Sequence, residues 1–383
     1  MIDTITLRLN EKDFKILDHN AFTPNTYNFY YPPYSRFGAR GYIEAYNNPT
    51  QADYKNRIYK PQLTLRKKMV NALPLIYLYI QFSAPKIVFL NNFDELRNED
   101  IENVVEKLSD SLRKMSVEVS SDVLKKALVC KVHFSKNIPL PEYVIPYFIT
   151  KEVSKTDLSL RYDLTEKDYR NKGDSIRFHT NSFEVILYDK KKDLQKGRIS
   201  DSRSIEKGNA IQFNIFDSIN SQKKFEILRI EVRYNSIQKI RSVFKRDFNL
   251  VQVCDSDISL SVLRSVWNDI VSNYNLLNCS IDNKELFFRE LVSNNPDIKL
   301  NNLLSIYGFI EYCKTFGVRE FRKIIESVYS SRSWYGIKYK MNSINIVEDN
   351  LECFEFISNY LKTYKPLDLK SYTDTINVGG NNL

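Results

Sequence analysis

Hydrophobic and polar residues alternate in short segments through the first part of the chain. Beyond about Leu250 the hydrophobic residues recur at three- and four-residue spacing instead. Alternation puts successive side chains on opposite sides of a strand, and the wider spacing lines one side of a helix. MIDTITLRL opens the chain with Ile2, Thr4, Thr6 and Arg8 opposed to Ile5 and Leu7. Strand patterns follow in QLTLRKK, LPLIYLYIQF, KIVFL, LVCKVHFS, DSIRFH, SFEVILYDK and FEILRIEVRY, with SAPK as a turn before KIVFL. Asn20 to Pro61, rich in Tyr, Asn and Pro, predicts irregular structure.

Helical spacing appears from Phe93 to about Met115, where Asp94 is a candidate cap and Ile101, Val104, Val105, Leu108 and Leu112 share a side. SSDVLKKA is a short amphipathic piece. PEYVIPYFITKEV predicts a short helix interrupted by Pro146. SIQKIRSVFKRD predicts a helix capped by Ser236. Lys190 to Asn209 is polar and predicts a loop. From SLSVLRSVWNDIVSNYNLL to LECFEFISNYLKTY everything is helical in period. The expected fold class is α+β: a central antiparallel sheet flanked by helices over residues 1–250, then a helical C-terminal domain over 251–383. VGGNNL predicts a frayed tail.

Composition narrows the function classes. Hydrophobic residues at 43% and aromatic ones at 13% describe a globular chain with a real core. Neither a GxGxxG nor a GxxxxGK[ST] pattern occurs, which weighs against nucleotide hydrolysis and a Rossmann site. The five cysteines never stand in CxxC spacing, which fits a reducing compartment and gives no zinc-ribbon signal. Leu73 to Phe82, the longest apolar run, is too short to cross a bilayer, and a cytoplasmic protein is expected. The formal net charge of +9 favours a polyanionic partner.

Parity along four strands collects chemistry on one side. Lys131, His133 and Ser135 share a side in LVCKVHFS. Ser175, Arg177 and His179 do so in SIRFH, as do Glu184, Ile186, Tyr188 and Lys190 in SFEVILYDK. Arg229, Glu231 and Arg233 do so in LRIEVR. A two-residue turn at Thr180 and Asn181 would pair Arg177 with Glu184. The plain reading is the wet side of an antiparallel sheet, with cross-strand ion pairs. The sharper reading is an active site. His133, His179 and Glu231 offer mixed N/O ligands for Mn, or for Mg with fewer histidines. A Tyr188 hydroxyl beside a metal and Lys190 can attack a phosphodiester and hold the phosphate covalently. Asp189 falls on the apolar side, where turn capping is its expected role.

MIDTITLRL, the central YDKKKDL and the following LRIEVRY together resemble the replication initiators of the filamentous-phage gene II/X type and related plasmid rolling-circle initiators. SRSWYGI, from Ser331 to Ile337, is similar to the C-terminal part of such proteins. The resemblance implies an HUH-like nickase core with a metal site and a tyrosine nucleophile. It implies a strand cut at an origin, a 5′-phosphotyrosine and rejoining. It implies DNA as partner, single-stranded or as an origin hairpin, with a host helicase alongside and no membrane. Tyr188, Asp189 and Lys190 match its YDK motif, and Arg229 and Glu231 its R-x-E motif. His133 stands where relatives often carry an acidic residue. The chain departs from the pattern in having no His-hydrophobic-His triplet. Tyr234, Tyr162 and Tyr169 remain alternative nucleophiles.

DNA contacts are expected from Lys131, Arg177, Arg229 and Arg233. In the helical part they are expected from Arg332 and Trp334, beside Arg319, Arg322, Lys323, Tyr335 and Lys338. The plain alternative there is a bundle that supports the sheet. The Tyr-rich stretch from Tyr27 to Tyr34 offers a further stacking surface or an irregular packed loop. Two functions compete: a metal-dependent nickase that starts rolling-circle replication, and a non-catalytic origin-binding or regulatory protein on the same scaffold. An RNA-binding or structural protein is a third.

Overall fold

The computed structural model describes residues 2–30, 41–56, 58–70, 73–141, 144–158, 166–170, 174–196, 226–274, 284–345 and 352–367. Its strands are β1 (Ile2–Asn10), β2 (Lys15–Ile16), β3 (Tyr42–Asn47), β4 (Gln62–Val70), β5 (Leu73–Ser83) and β6 (Val117–Glu118). They continue as β7 (Leu128–Pro139), β8 (Glu166–Arg170), β9 (Ser175–His179), β10 (Phe183–Asp189) and β11 (Ile227–Tyr234). Nine of them form one sheet in the order β3-β4-β5-β1-β7-β11-β10-β9-β8, and every neighbouring pair is antiparallel. β2 and β6 form a separate two-stranded sheet.

The helices used below are α1 (Ala84–Phe89), α2 (Ile101–Lys114), α3 (Ser121–Lys126), α4 (Pro146–Val153), α5 (Lys190–Lys196) and α6 (Ile237–Phe244). They continue as α7 (Ser256–Tyr274), α8 (Lys284–Ser293), α9 (Leu300–Phe316), α10 (Val318–Val328), α11 (Ser331–Asn342) and α12 (Glu352–Tyr360). The architecture is therefore α+β, a large antiparallel sheet with flanking helices and further helices after it. No helix among the described residues is long and apolar enough to cross a membrane.

One side of the sheet carries the core. Ile5, Leu7, Leu78, Ile80, Val129, Val132, Val185, Leu187, Ile230 and Val232 are all completely buried there. Removing each such side chain from water contributes about 1.5–3 kcal/mol. Helix α7 crosses β7 and β11 on this side, and α4 covers β9 and β10. The same core cluster includes Val266 and Trp267 of α7, Phe321 of α10, Trp334 of α11 and Phe354 of α12. Helices α7, α10, α11 and α12 thus share the sheet's own core. A second, smaller cluster joins α8, α9 and α11 through Phe287, Leu303, Ile306, Ile310 and Met341.

Several elements differ from the sequence expectation. KIVFL lies in α1 and the residue after it, not in a strand, with Pro85 in the first turn and Leu90 closing it in a left-handed conformation. A short apolar run carries no decisive period, and proline suits the first turn of a helix. Pro146 likewise begins α4 rather than interrupting it. The helix expected from Phe93 starts later. Asn91 and Asp94 are tied in a turn, and α2 begins at Ile101. Lys190–Lys196 is helical, not loop, and Tyr42–Asn47 is a strand inside the segment expected to be irregular. The rest of the polar loop expected to Asn209, residues 31–40, the alternative nucleophile Tyr162 and the C-terminal tail lie outside the described residues. Ser236 caps α6 as expected, its hydroxyl accepting from the Lys239 N–H at 3.2 Å.

Candidate functional site

The polar side of β7, β11, β10 and β9 is assembled by register. Arg233 stands opposite His133, Glu231 opposite Ser135 and Arg229 opposite Asn137. On the other flank of β11, Glu184 pairs with Arg233, Ile186 with Glu231 and Tyr188 with Arg229. In the hairpin, His179 pairs with Glu184 and Arg177 with Ile186. Four residues, Thr180 to Phe183, thus separate the paired positions, where the sequence suggested two. Both lengths are even, so the same residues reach the same side.

β1 adds a group that alternation hides. Ile2 pairs with Phe134 and Thr4 with His133, so Asp3 is an extra residue in a bulge. The bulge sends Ile2 into the core and turns Asp3 to the polar side, beside Arg229. A bulge re-aims side chains in this way.

Arg229 is the centre. Its Nε donates to Glu231 Oε1 at 2.8 Å, and its Nη1 donates to the Asn92 carbonyl at 2.7 Å and to Asn137 Oδ1 at 3.3 Å. Its Nη2 donates to Ser135 Oγ at 3.0 Å and lies 3.2 Å from Asp3 Oδ1. A guanidinium has five N–H groups, and five acceptors surround this one. Burial alone would raise Glu231. The charges of Arg233 and Arg229 and the hydrogen bonds from Tyr188 and Arg233 outweigh it, and hold the carboxyl far below its ordinary range. Asp3 ends below its ordinary value too, because the Arg229 charge overcomes burial.

Tyr188 Oη donates to Glu231 Oε1 at 2.7 Å. Burial, and then the Glu231 charge, push the phenol well above its ordinary value, so it keeps its proton at rest. Lys190 begins α5, is buried, and donates to Asn92 Oδ1 at 3.0 Å. Burial, then the Arg229 charge, bring its ammonium down to about 7. Asp189 caps the same helix by accepting from the Lys192 N–H at 2.9 Å, and burial first of all raises its carboxyl to about 6. Toward the rim, Arg233 Nε donates to Glu231 Oε2 at 2.9 Å, and Arg177 Nη2 donates to Glu184 Oε1 at 2.6 Å.

Sequence reasoning placed Tyr188, Lys190, Arg229, Glu231, Arg233, Arg177, His133 and His179 on one side, and the structure puts them there. Tyr188, Glu231 and Arg229 meet directly, and Lys190 joins them by way of Asn92. The histidines do not: His133 on β7 and His179 on β9 are separated by β11 and β10, about 14 Å at the usual strand spacing. His133 Nε2 lies 3.2 Å from Asn235 Oδ1, and burial, then Arg233, lower its value. Both Glu231 oxygens hold arginine hydrogen bonds. Among the described residues no three His, Cys, Asp or Glu gather as a metal site. The residues expected to hold Mg or Mn therefore do not fit one ion in this geometry.

Lys131 is exposed on β7 opposite Thr6, and Arg332 is exposed on α11. Trp334 is only 1% exposed and packs edge-on against Phe321, so it is not presented for base stacking. Asp3, Asn92, Ser135 and Asn137 complete the site. Of these, parity alone had reached Ser135; the others come from a bulge, a distant turn and the far end of β7. No protein-family model, no curated protein and no solved structure matches the chain.

Proposed function

We propose that this chain acts on DNA as the gene II/X-type initiators it resembles do, with Tyr188 as the residue that opens a strand. The observation that carries the reading is the Tyr188 hydroxyl donating to Glu231 within a cluster that also holds Arg229 and Lys190. In the proposed step the tyrosine oxygen bonds to phosphorus and its proton passes to Glu231. The bond from phosphorus to the 3′ oxygen breaks, and that oxygen takes a proton from the Lys190 ammonium. The 5′ side of the strand stays on Tyr188. Return of the proton to Lys190 and attack by the 3′ hydroxyl rejoin the strand. Arg233 and Arg177, half-exposed at the rim, are placed to meet the phosphate charge. No step is routed through a metal.

A second reading is a DNA-binding protein that does not cut. Its support is the saturation of Arg229 and the low value of Glu231, which make that carboxylate a weak base. A covalent-adduct assay separates the two. The protein is incubated with single-stranded DNA, with Mg, Mn or EDTA, and run on a denaturing gel. An adduct mapped to Tyr188 and lost in Tyr188→Phe supports cutting. Tight binding with no adduct under any condition supports the second reading.

A further inference from the structure

The polar side of the sheet continues past the ion network onto β1, β5, β4 and β3, and its character changes there. Register brings Arg8 opposite Tyr79, Arg66 opposite Tyr77, Lys68 opposite Tyr42 and Thr64 opposite both Tyr46 and Tyr79. The opposite side of the same strands carries Leu63, Leu65, Leu78 and Ile80, all fully buried, so the tyrosines are excess to the core. The Arg66 guanidinium lies 4.6 Å from the centre of the Tyr42 ring and 5.0 Å from that of Tyr79. Arg8 lies 5.0 Å and Lys68 5.3 Å from the centre of Tyr77. Tyr42, Tyr77 and Tyr79 are half-exposed, and Tyr46 is 43% exposed.

We infer that this half of the sheet is a binding track for single-stranded DNA, on which tyrosine rings stack bases and Arg8, Arg66 and Lys68 meet the phosphates. The choice of DNA rests on the function proposed above; the choice of a single strand rests on the surface itself. An unpaired strand offers base faces to a row of rings, whereas a duplex hides them. Tyr77 and Tyr79 are two residues apart on one strand, about 6.8 Å, which leaves a ring for each of two successive bases of an extended chain. Charge agrees with the occupant. Among the described residues, Arg66 pairs with Glu44, which also accepts from the Tyr46 hydroxyl, while Arg8 and Lys68 form no ion pair. In the ion network, by contrast, each arginine is matched by acid. Both surfaces belong to one continuous side, so a strand lying on the track extends toward Tyr188 by way of Thr4, Thr6 and Lys131.

The test is fluorescence anisotropy with labelled oligothymidylate, its duplex with oligoadenylate, and oligouridylate. Oligothymidylate is expected to bind more tightly than the duplex. Tyr77→Ala and Tyr79→Ala are each expected to weaken it roughly 5- to 150-fold. Tyr77→Phe and Tyr79→Phe should hold affinity close to the parent, because stacking needs the ring and not the hydroxyl. Should an alanine variant melt early, Arg8→Gln with Lys68→Gln reads the same track without touching a ring, and should flatten the dependence of affinity on salt. Alanine variants that bind like the parent, or equal binding of the duplex, would overturn the track. Tighter binding of oligouridylate would overturn the assignment to DNA. The outcomes stay separate from the adduct assay. An adduct on Tyr188 with binding indifferent to Tyr77 and Tyr79 removes the track alone. Binding that depends on those rings without any adduct removes strand cutting alone.

Discussion

Two halves of one sheet surface use the same cation in opposite ways. On β7, β11, β10 and β9, Arg229, Arg233 and Arg177 face Asp3, Glu231 and Glu184, and the centre of the network is buried. On β1, β5, β4 and β3, Arg8, Arg66 and Lys68 lie over tyrosine rings and stay in reach of solvent. The buried Arg229 guanidinium finds acceptors for its donors, so the centre of the first half is fixed in geometry. A cation over a half-exposed ring gains less and moves more easily. The first half suits holding a reacting group in place; the second suits receiving a flexible partner.

The contrast can be broken in four ways. Glu231→Gln should have the largest effect, removing about 3–5 kcal/mol of unfolding free energy, because it leaves Arg229 buried without its main counter-charge. Urea unfolding reads this, and a loss below about 1 kcal/mol would show that the network is not the rigid half. Next comes independence. Tyr77 on β5 and Arg233 on β11 are three strand spacings apart, about 14 Å or more. The affinity losses of Tyr77→Ala and Arg233→Gln should add to within about 0.5 kcal/mol in the double variant. A larger coupling would join the halves into one site.

The third test uses pH. Lys190 sits at about 7 in the fold, below its ordinary 10.5. Between these values the unfolded chain binds the extra proton, so this residue's contribution makes stability rise with pH across that window. Lys190→Met should remove that slope in a series of melts. Because the ammonium form is the proton donor, adduct formation should fall above about pH 7, and the variant should lose that limb. A parent with a flat profile would rule Lys190 out as donor. The smallest effect is expected for Lys68→Gln. Stability should stay within about 0.5 kcal/mol, while the slope of affinity against salt drops by about 1. An unchanged slope would take Lys68 off the phosphate path.

How much of this was legible in sequence depends on the range of the cause. Arg177, Glu184, Tyr188, Arg229, Glu231 and Arg233 follow from alternation, a rule that survives an error in loop length as long as the loop stays even. Asp3 does not, because a bulge leaves no mark in the period. Asn92 and Asn137 reach Arg229 only through tertiary folding. The tyrosine track was equally hidden. LPLIYLYIQF reads as a strand, but only the pairing with β1 and β4 shows that Tyr77 and Tyr79 meet Arg8 and Arg66. Short apolar segments such as KIVFL stayed ambiguous because five residues fit either period.

The position of β1 has a consequence for the order of folding. It lies between β5 and β7, with Ile5 against Phe82 on one flank and Val132 on the other. A ribosome delivers it before either neighbour, since β5 and β7 both lie further along the chain. Until β7 emerges, this strand has an open edge in the middle of the future sheet. The Asp3–Arg229 contact must wait longer still, for β11. Such long-range closure makes for slow folding, and it leaves one edge open on the strand on which both halves of the surface depend.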